Sequence, residues 1–229
     1  MEIKLIYICL ETNLNFFKKM KKIMMAVVVV STVLFSCKGE KKEKIVVKEE
    51  VKVEETTMVN NVDLTASVMT WKGTKPTGSH DGTITFKSGG IVVENDVLKN
   101  GEFVIDMNTI KNLDMEGSDG AAKIEKHLKA PDFFDVEVYP TSRFVITSVL
   151  EVEGSLAVTG NLTIKDVTKS ITIPASISTT DGITTFKSEL FNIDRADFNV
   201  KYGSKRWIEG LKDKFIDDLV EMSFTVVTK

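Results

Sequence analysis

Cysteine and histidine are scarce, with two of each in 229 residues. Cys9 and Cys37 both lie upstream of residue 38, so the rest of the chain has no disulfide, no thiolate nucleophile and no cysteine-based metal site. His80 and His127 alone supply neither a zinc site nor a histidine triad, and no catalytic or metal-binding residue is assigned. Positive charge is short where a nucleic acid would need it. Residues 63–229 hold 19 Lys and Arg against 25 Asp and Glu, a net −6, so no basic groove follows a phosphate backbone and nucleic acid is discarded as a partner. Long apolar runs are also missing. The longest nearly uninterrupted one, Ile23 to Phe35, has thirteen residues, whereas a membrane-crossing helix needs roughly twenty. What remains, 42% hydrophobic and 28% charged, rules out a disordered tail or a polytopic membrane protein and suits one globular domain.

The N-terminal third reads as processing and linker sequence. Lys21 and Lys22 precede the apolar run, and Leu34-Phe35-Ser36-Cys37 follows it, which resembles a bacterial lipoprotein signal peptide ending in a lipobox. Cys37 is the expected lipidation site, and Met20 the expected translation start within an upstream region of residues 1–36. Lipidation at Cys37 implies an exported protein, lipid-anchored in the cell envelope on the periplasmic side or at the surface. Residues 37–62 then form a charged flexible tether: from 38 to 62, six Lys face six Glu with no sustained apolar stripe. The globular domain is expected over residues 63–229.

In that domain the hydrophobic period is two. Ile84/Phe86, Phe103/Ile105/Met107, Phe144/Ile146, Val158/Gly160/Leu162/Ile164, Ile171/Ile173/Ala175 and Phe224/Val226 alternate with polar neighbours, as in strands with one buried face. Asp81-Gly82, Ser88-Gly89-Gly90, Asn100-Gly101, Glu153-Gly154 and Asp181-Gly182 are read as turns between them. Seven or eight such strands must close or fold over to hide their edges. The predicted class is therefore all-β with short helices, as a barrel or sandwich. One helix is expected from Asp119 to Lys129, with Asp119 as cap, Ala121, Ile124 and Leu128 as its stripe and Pro131 as its stop. A second, lid-like helical turn is expected from Ser204 to Lys212, presenting Trp207 and Leu211.

Catalytic constellations are thin. Asp194, Asp197 and Arg195 suit an acid pair steered by a guanidinium, and equally an ion pair pinning a loop. A hydrolase using Asp194, Asp197 or His127 is the enzymatic alternative. A non-catalytic stress or interaction protein with a filled barrel is the other. Apolar bulk is plentiful instead: ten Phe follow residue 62, with Trp71 and Trp207. A closed sheet of about eight strands either fills its interior or encloses one small ligand.

Several ordered segments together resemble the YceI-like family. They are Trp71-Lys72-Gly73, Gly78-Ser79-His80-Asp81-Gly82, His127-Leu128 with Asp132-Phe133-Phe134-Asp135, Tyr139-Pro140, Gly160-Asn161-Leu162-Thr163-Ile164 and Arg195-Ala196-Asp197-Phe198. The resemblance implies a lipocalin-like antiparallel β-barrel of about eight strands with helical segments covering the mouth. It implies a long-chain amphiphilic lipid as partner, a polyisoprenoid or isoprenoid quinone, with no further cofactor and no enzymatic step. Trp71, Phe86, Phe103, Ile105, Phe144, Leu162, Phe186 and Phe224 are the expected inward ligand contacts, with Trp207 and Leu211 as lid residues. Membrane contact is expected through the lipidated N-terminus, and a homodimer stays open. The chain departs from the family pattern at Lys165-Asp166, where His-Gly is common, and at Asn199, where Gly is usual.

Overall fold

The structure is a computed structural model that describes residues 43–52 and 59–229. The expected start at Met20, the signal peptide and Cys37 lie outside the described residues.

Nine strands follow in order: β1 (Val68–Lys75), β2 (Gly78–Glu94), β3 (Val97–Asn112), β4 (Thr141–Val152), β5 (Ser155–Ile164), β6 (Val167–Thr180), β7 (Ile183–Ser188), β8 (Phe191–Asp194) and β9 (Leu219–Val227). Neighbours from β1 to β7 pair antiparallel, β7 pairs with β9, and β9 pairs with β1, closing the sheet. β8 also pairs with β9, through Phe191 opposite Met222 and Asp194 opposite Leu219. β7 and β8 thus share one partner and act as a single interrupted strand. The barrel is a closed, eight-strand antiparallel one, and closure hides its strand edges except where β6 and β8 face each other without pairing.

The period-two pattern survives in three dimensions. Phe86, Phe103, Ile105, Phe144, Val158, Phe186, Phe224 and Val226 are all buried in one core. Their rings interlock, with Phe103 stacked on Phe186 at 6.1 Å and Phe186 against Phe224 at 5.0 Å. Lys42–Lys229 form one compact unit with this core to themselves, the property of a domain that folds alone.

Three of the expected turns are not turns. Asp81-Gly82 and Ser88-Gly89-Gly90 lie within the seventeen-residue β2, and Asn100-Gly101 within β3. Those glycines admit close neighbours instead: a β-carbon on Gly90 would stand 1.7 Å from the Val59 carbonyl oxygen. Register shifts along the β2–β3 ladder bend these long strands into the wall. Four of the two-residue reversals use paired left-handed residues, Asn95-Asp96, Glu153-Gly154, Lys165-Asp166 and Asp181-Gly182, which match the twist of the strands they join, and the β1–β2 reversal at Pro76-Thr77 does not. Asp166 at φ 61° and Asn199 at φ 60° occupy left-handed positions, which explains why residues tolerant of that region replace glycine there.

One α-helix is described, α1 (Asp119–Lys129), with the expected bounds but a different cap: the Ser118 side chain accepts from the Ala121 amide at 3.1 Å. The second expected helix does not form. Residues 204–211 are turns, followed by a short 3-10 segment at Lys212–Lys214. Positive φ at Gly210, between Ile208 and Leu211, and at Lys212 breaks the expected run.

Of the expected tether, residues 43–52 lie against the barrel. They fill the seam between β6 and β8, where Lys48 exchanges two backbone hydrogen bonds of 2.9 Å with Ser170 and the Ile45 amide donates to the Asn192 carbonyl. The Asn161 side chain brackets Val51, accepting from its amide and donating to its carbonyl. Ile45 and Val47 pack on the barrel core.

Candidate functional site

Under α1 the barrel interior opens into a cavity of about 250 Å³. Its wall is built by the period-two faces of β1, β2 and β3, which supply Met69, Trp71, Ile84, Ile105, Met107 and Ile110. α1 closes it from above with Ile124 and Leu128, four residues apart on one helical face. Phe133 and Phe134 come from the turns after the helix, and Leu162 and Ile164 from β5. The exposed lining is mostly apolar, and its polar members are Thr74, Lys75, His80, His127, Ser142 and the buried Arg195.

A second hollow of about 40 Å³ lies beyond, walled by Phe86, Phe103, Phe144 and Phe224 among others. Met69, Ile105 and Leu162 border both hollows and form the septum between them.

The residues expected from sequence to meet a ligand therefore fall into four places. Trp71, Ile105 and Leu162 line the main cavity. Phe86, Phe103, Phe144 and Phe224 line the smaller hollow. Phe186 is fully buried in the ring cluster and borders neither hollow. Trp207 and Leu211 do not cover the mouth: Trp207 is 50% exposed, holds Lys201 over its ring at 4.2 Å, and borders a shallow outer hollow beside residues 44–49. Without the second helix nothing carries Trp207 or Leu211 over the opening.

The acidic candidates are held elsewhere. Lys44 reaches Asp194 at 2.8 Å and Asp197 at 2.7 Å, and Arg206 bonds both carboxylates. Burial opposes ionisation of Asp197, but hydrogen bonds from Lys44 and Arg206 outweigh it and hold its carboxyl below the ordinary value. Arg195 does not join them. It is buried, donates to the carbonyls of Asp217, Val200 and Ile216, pairs with Asp218 at 3.2 Å and stacks over Phe133. His127 borders the cavity edge-on to Tyr202, ring centroids 4.5 Å apart. Asp194, Asp197 and His127 thus do not converge in one cleft. Among the described residues no group of three or more His, Cys, Asp or Glu is placed to hold a metal ion.

Two supports were not visible in the sequence. Asn112, fully buried at the end of β3, donates from its amide nitrogen to Glu125 of α1 and from its side chain to the Asp81 carbonyl and to Asp114. It therefore ties the helix to the barrel rim. Asp114 in turn holds His80 Nδ1 at 2.9 Å and the Asp81 amide at 3.1 Å. Burial disfavours the Asp114 carboxylate, yet these bonds and that from Asn112 keep its pKa below the ordinary value. The only sequence signal for this device was the Asn112-Leu113-Asp114 polar break at the end of an alternating strand.

A closed antiparallel barrel with a helix across its mouth and an apolar hollow beneath defines a lipocalin-like barrel protein. The chain belongs to the YceI-like domain family, whose model matches residues 60–228. Protein YceI of Salmonella arizonae and of Salmonella newport are each 39% identical over 56 residues, 24% of this chain. That stretch spans only 29% of the length of those relatives. Among solved structures, Burkholderia cenocepacia BcnA superposes with a TM-score of 0.61 at 24% identity, covering 74% of this chain and all of that one. A polyisoprenoid binding domain from Saccharophagus degradans, implicated in plant cell wall breakdown, gives 0.55 at 15% identity over 76% of this chain and 99% of its own. At these identities the likeness is one of fold.

Proposed function

We propose that this protein is a cell-envelope lipoprotein whose barrel binds, and shields or carries, a long-chain amphiphile such as a polyisoprenoid or isoprenoid quinone. The observation that carries this reading is the helix-covered cavity of about 250 Å³ with a mostly apolar wall. Such a wall offers a hydrocarbon chain burial at about 25 cal/mol per Å² and offers a polar substrate far less. The fold shared with a polyisoprenoid binding domain supports the choice of chain. Binding is passive: no covalent step is required, and the acidic candidates Asp194 and Asp197 are engaged in ion pairs away from the cavity. A filled barrel acting only through its surface would not need this hollow.

The test is to purify the protein from bacterial membranes in mild detergent, extract it with solvent and analyse the extract by mass spectrometry. About one prenyl-chain molecule per barrel is the expected result. No extractable chain, with no mass shift on reloading with quinones or polyprenyl phosphates, would overturn the reading.

A further inference from the structure

One loop reverses the charge of the domain around it. Residues 201–214 hold five Lys and Arg against Glu209 and Asp213, a net +3, while the rest of 63–229 carries 14 Lys and Arg against 23 Asp and Glu, a net −9. Arg206 is engaged with Asp194 and Asp197. Lys201, Lys205, Lys212 and Lys214 are exposed, and among the described residues none of the four is in an ion pair. Between them stand Tyr202, Trp207 and Ile208, 41%, 50% and 41% exposed. Two of the ammonium groups lie over rings, Lys201 Nζ 4.2 Å from the centroid of Trp207 and Lys205 Nζ 3.3 Å from that of Phe215. Exposed rings with cations at their faces suit the boundary between lipid headgroups and hydrocarbon, where an indole keeps its apolar body in and a lysine its head out.

The fold fixes where this loop stands. The Ser204 hydroxyl donates to Asp218 at 2.8 Å, the Ile216 amide to the Gly203 carbonyl at 2.9 Å, and the Asp217 amide to the Thr74 carbonyl at 2.8 Å. Ile216 and Thr74 line the cavity, and Tyr202 meets His127 of α1 ring to ring, so the loop flanks the mouth. The far end of the barrel is acidic. Its hairpins at 94–97, 151–155 and 180–183 expose Glu94, Asp96, Glu151, Glu153 and Asp181 and hold no Lys or Arg. An anionic surface repels that end and attracts the loop. Lys44 borders the same outer hollow as Trp207, so the chain leading from the anchor proposed at Cys37 joins the barrel on this side.

We propose that residues 201–214 are a docking surface for a bilayer of anionic lipids, with Trp207 and Ile208 entering the headgroup boundary and Lys201, Lys205, Lys212 and Lys214 meeting lipid phosphates. Docked in this way, the cavity mouth stands beside the bilayer. The side on which the anchor arrives favours a bilayer over an acidic protein as the partner, and the lipoprotein reading enters through that point alone.

The test uses residues 42–229, which lack the anchor, with vesicles of phosphatidylcholine alone and of equal parts phosphatidylcholine and phosphatidylglycerol, with and without brominated acyl chains. Cosedimentation at low salt is expected to be at least about tenfold tighter with the anionic vesicles and to weaken as salt is raised. Brominated chains should quench Trp207, and Trp207→Phe, which leaves the buried Trp71 as the sole tryptophan, should remove the quenched signal. Lys201→Gln, Lys205→Gln and Lys214→Gln together should weaken binding at least about tenfold, since each lysine at an anionic surface is worth about fivefold. No binding to anionic vesicles, or quenching that persists in Trp207→Phe, would overturn the proposal. Polyglutamate bound as tightly as vesicles of the same charge concentration would overturn it in favour of an acidic protein. Each of these results leaves the cavity reading standing, and a barrel that carries no extractable chain leaves the docking surface standing.

Discussion

Gly160 on β5 and the ring of Phe144 on β4 occupy one space: a β-carbon at Gly160 would stand 2.4 Å from Phe144 Cζ and 2.7 Å from the Val145 carbonyl oxygen. Gly160 points inward in the alternating series of β5, so the missing side chain is what lets the phenyl ring lie flat against the wall of the smaller hollow.

Gly160→Ala should therefore destabilise the barrel by about 1–3 kcal/mol, the usual cost of overpacking a tight core. Urea titration followed by circular dichroism measures it. Because one of the obstacles is backbone, ring rotation alone does not relieve the clash, and a change below about half a kcal/mol would show that β4 yields more easily than its geometry indicates.

The septum between the two hollows predicts chain-length selection. Met69 is half-buried and borders both spaces, and its flexible thioether is the easiest of the three septum side chains to remove. Met69→Ala should join the hollows and move preference from fifteen-carbon toward twenty-carbon prenyl alcohols, by a few-fold in competition followed by native mass spectrometry. An unchanged ratio would place the chain entirely outside the Phe-lined end.

How far the sequence foretold this arrangement depends on the range of each interaction. The alternation reports a local choice between two faces, and the structure buries Phe103, Ile105, Phe144, Ile146, Val158, Phe224 and Val226 as that choice requires, while Asn161, on the polar side of the pattern, is buried too. The bounds of α1 were legible for the same reason, through the stripe of Ile124 and Leu128 and the stop at Pro131. Glycine was ambiguous: Gly82 within a strand and Gly182 in a hairpin follow the same Asp-Gly pair, and only the distant Trp71 ring and Lys111 carbonyl distinguish them. Trp207 misled because an apolar stripe says nothing of the positive φ angles that break it. The septum, the Asn112 tie and the docking of residues 43–52 all depend on pairings across the barrel, for which no local pattern exists.

Residues 43–52 carry a prediction with two pH limits. Lys44 bonds Asp194 and Asp197 at the seam; burial opposes its charge, but those carboxylates outweigh it and raise its pKa, while that of Asp197 is lowered. The Asp197 contribution is complete above the ordinary carboxylate value of 3.8 and is lost as pH falls through the depressed folded value. The Lys44 contribution is complete below the ordinary 10.5 and is lost as pH rises through the elevated one. The segment should stay docked between those limits. Lys44→Met should speed amide exchange at Ile45 and Lys48 several-fold near neutrality, no more than about 1 kcal/mol because the ammonium is partly exposed and screened. Unchanged exchange would assign the docking to the Lys48–Ser170 bonds alone.

The anchor proposed at Cys37 is shorter-reaching than a free tether of twenty-five residues would be. With Lys44 fixed on Asp194, only seven residue steps separate it from Cys37, at most about 25 Å of extended chain. A lipidated Cys37 would therefore keep the seam side of the barrel within that distance of the bilayer, and two or three acyl chains would hold it there durably. Cys37→Ser in the full chain should abolish incorporation of labelled palmitate and leave a precursor heavier by the uncleaved signal peptide, while the barrel keeps its melting temperature because no core residue is touched. Label retained in Cys37→Ser would refute the anchor. No palmitate label on the unsubstituted chain, with membrane attachment retained, would instead point to the apolar run from Ile23 to Phe35 as an uncleaved anchor, and the reach limit would then be set from Phe35 rather than from an acylated cysteine.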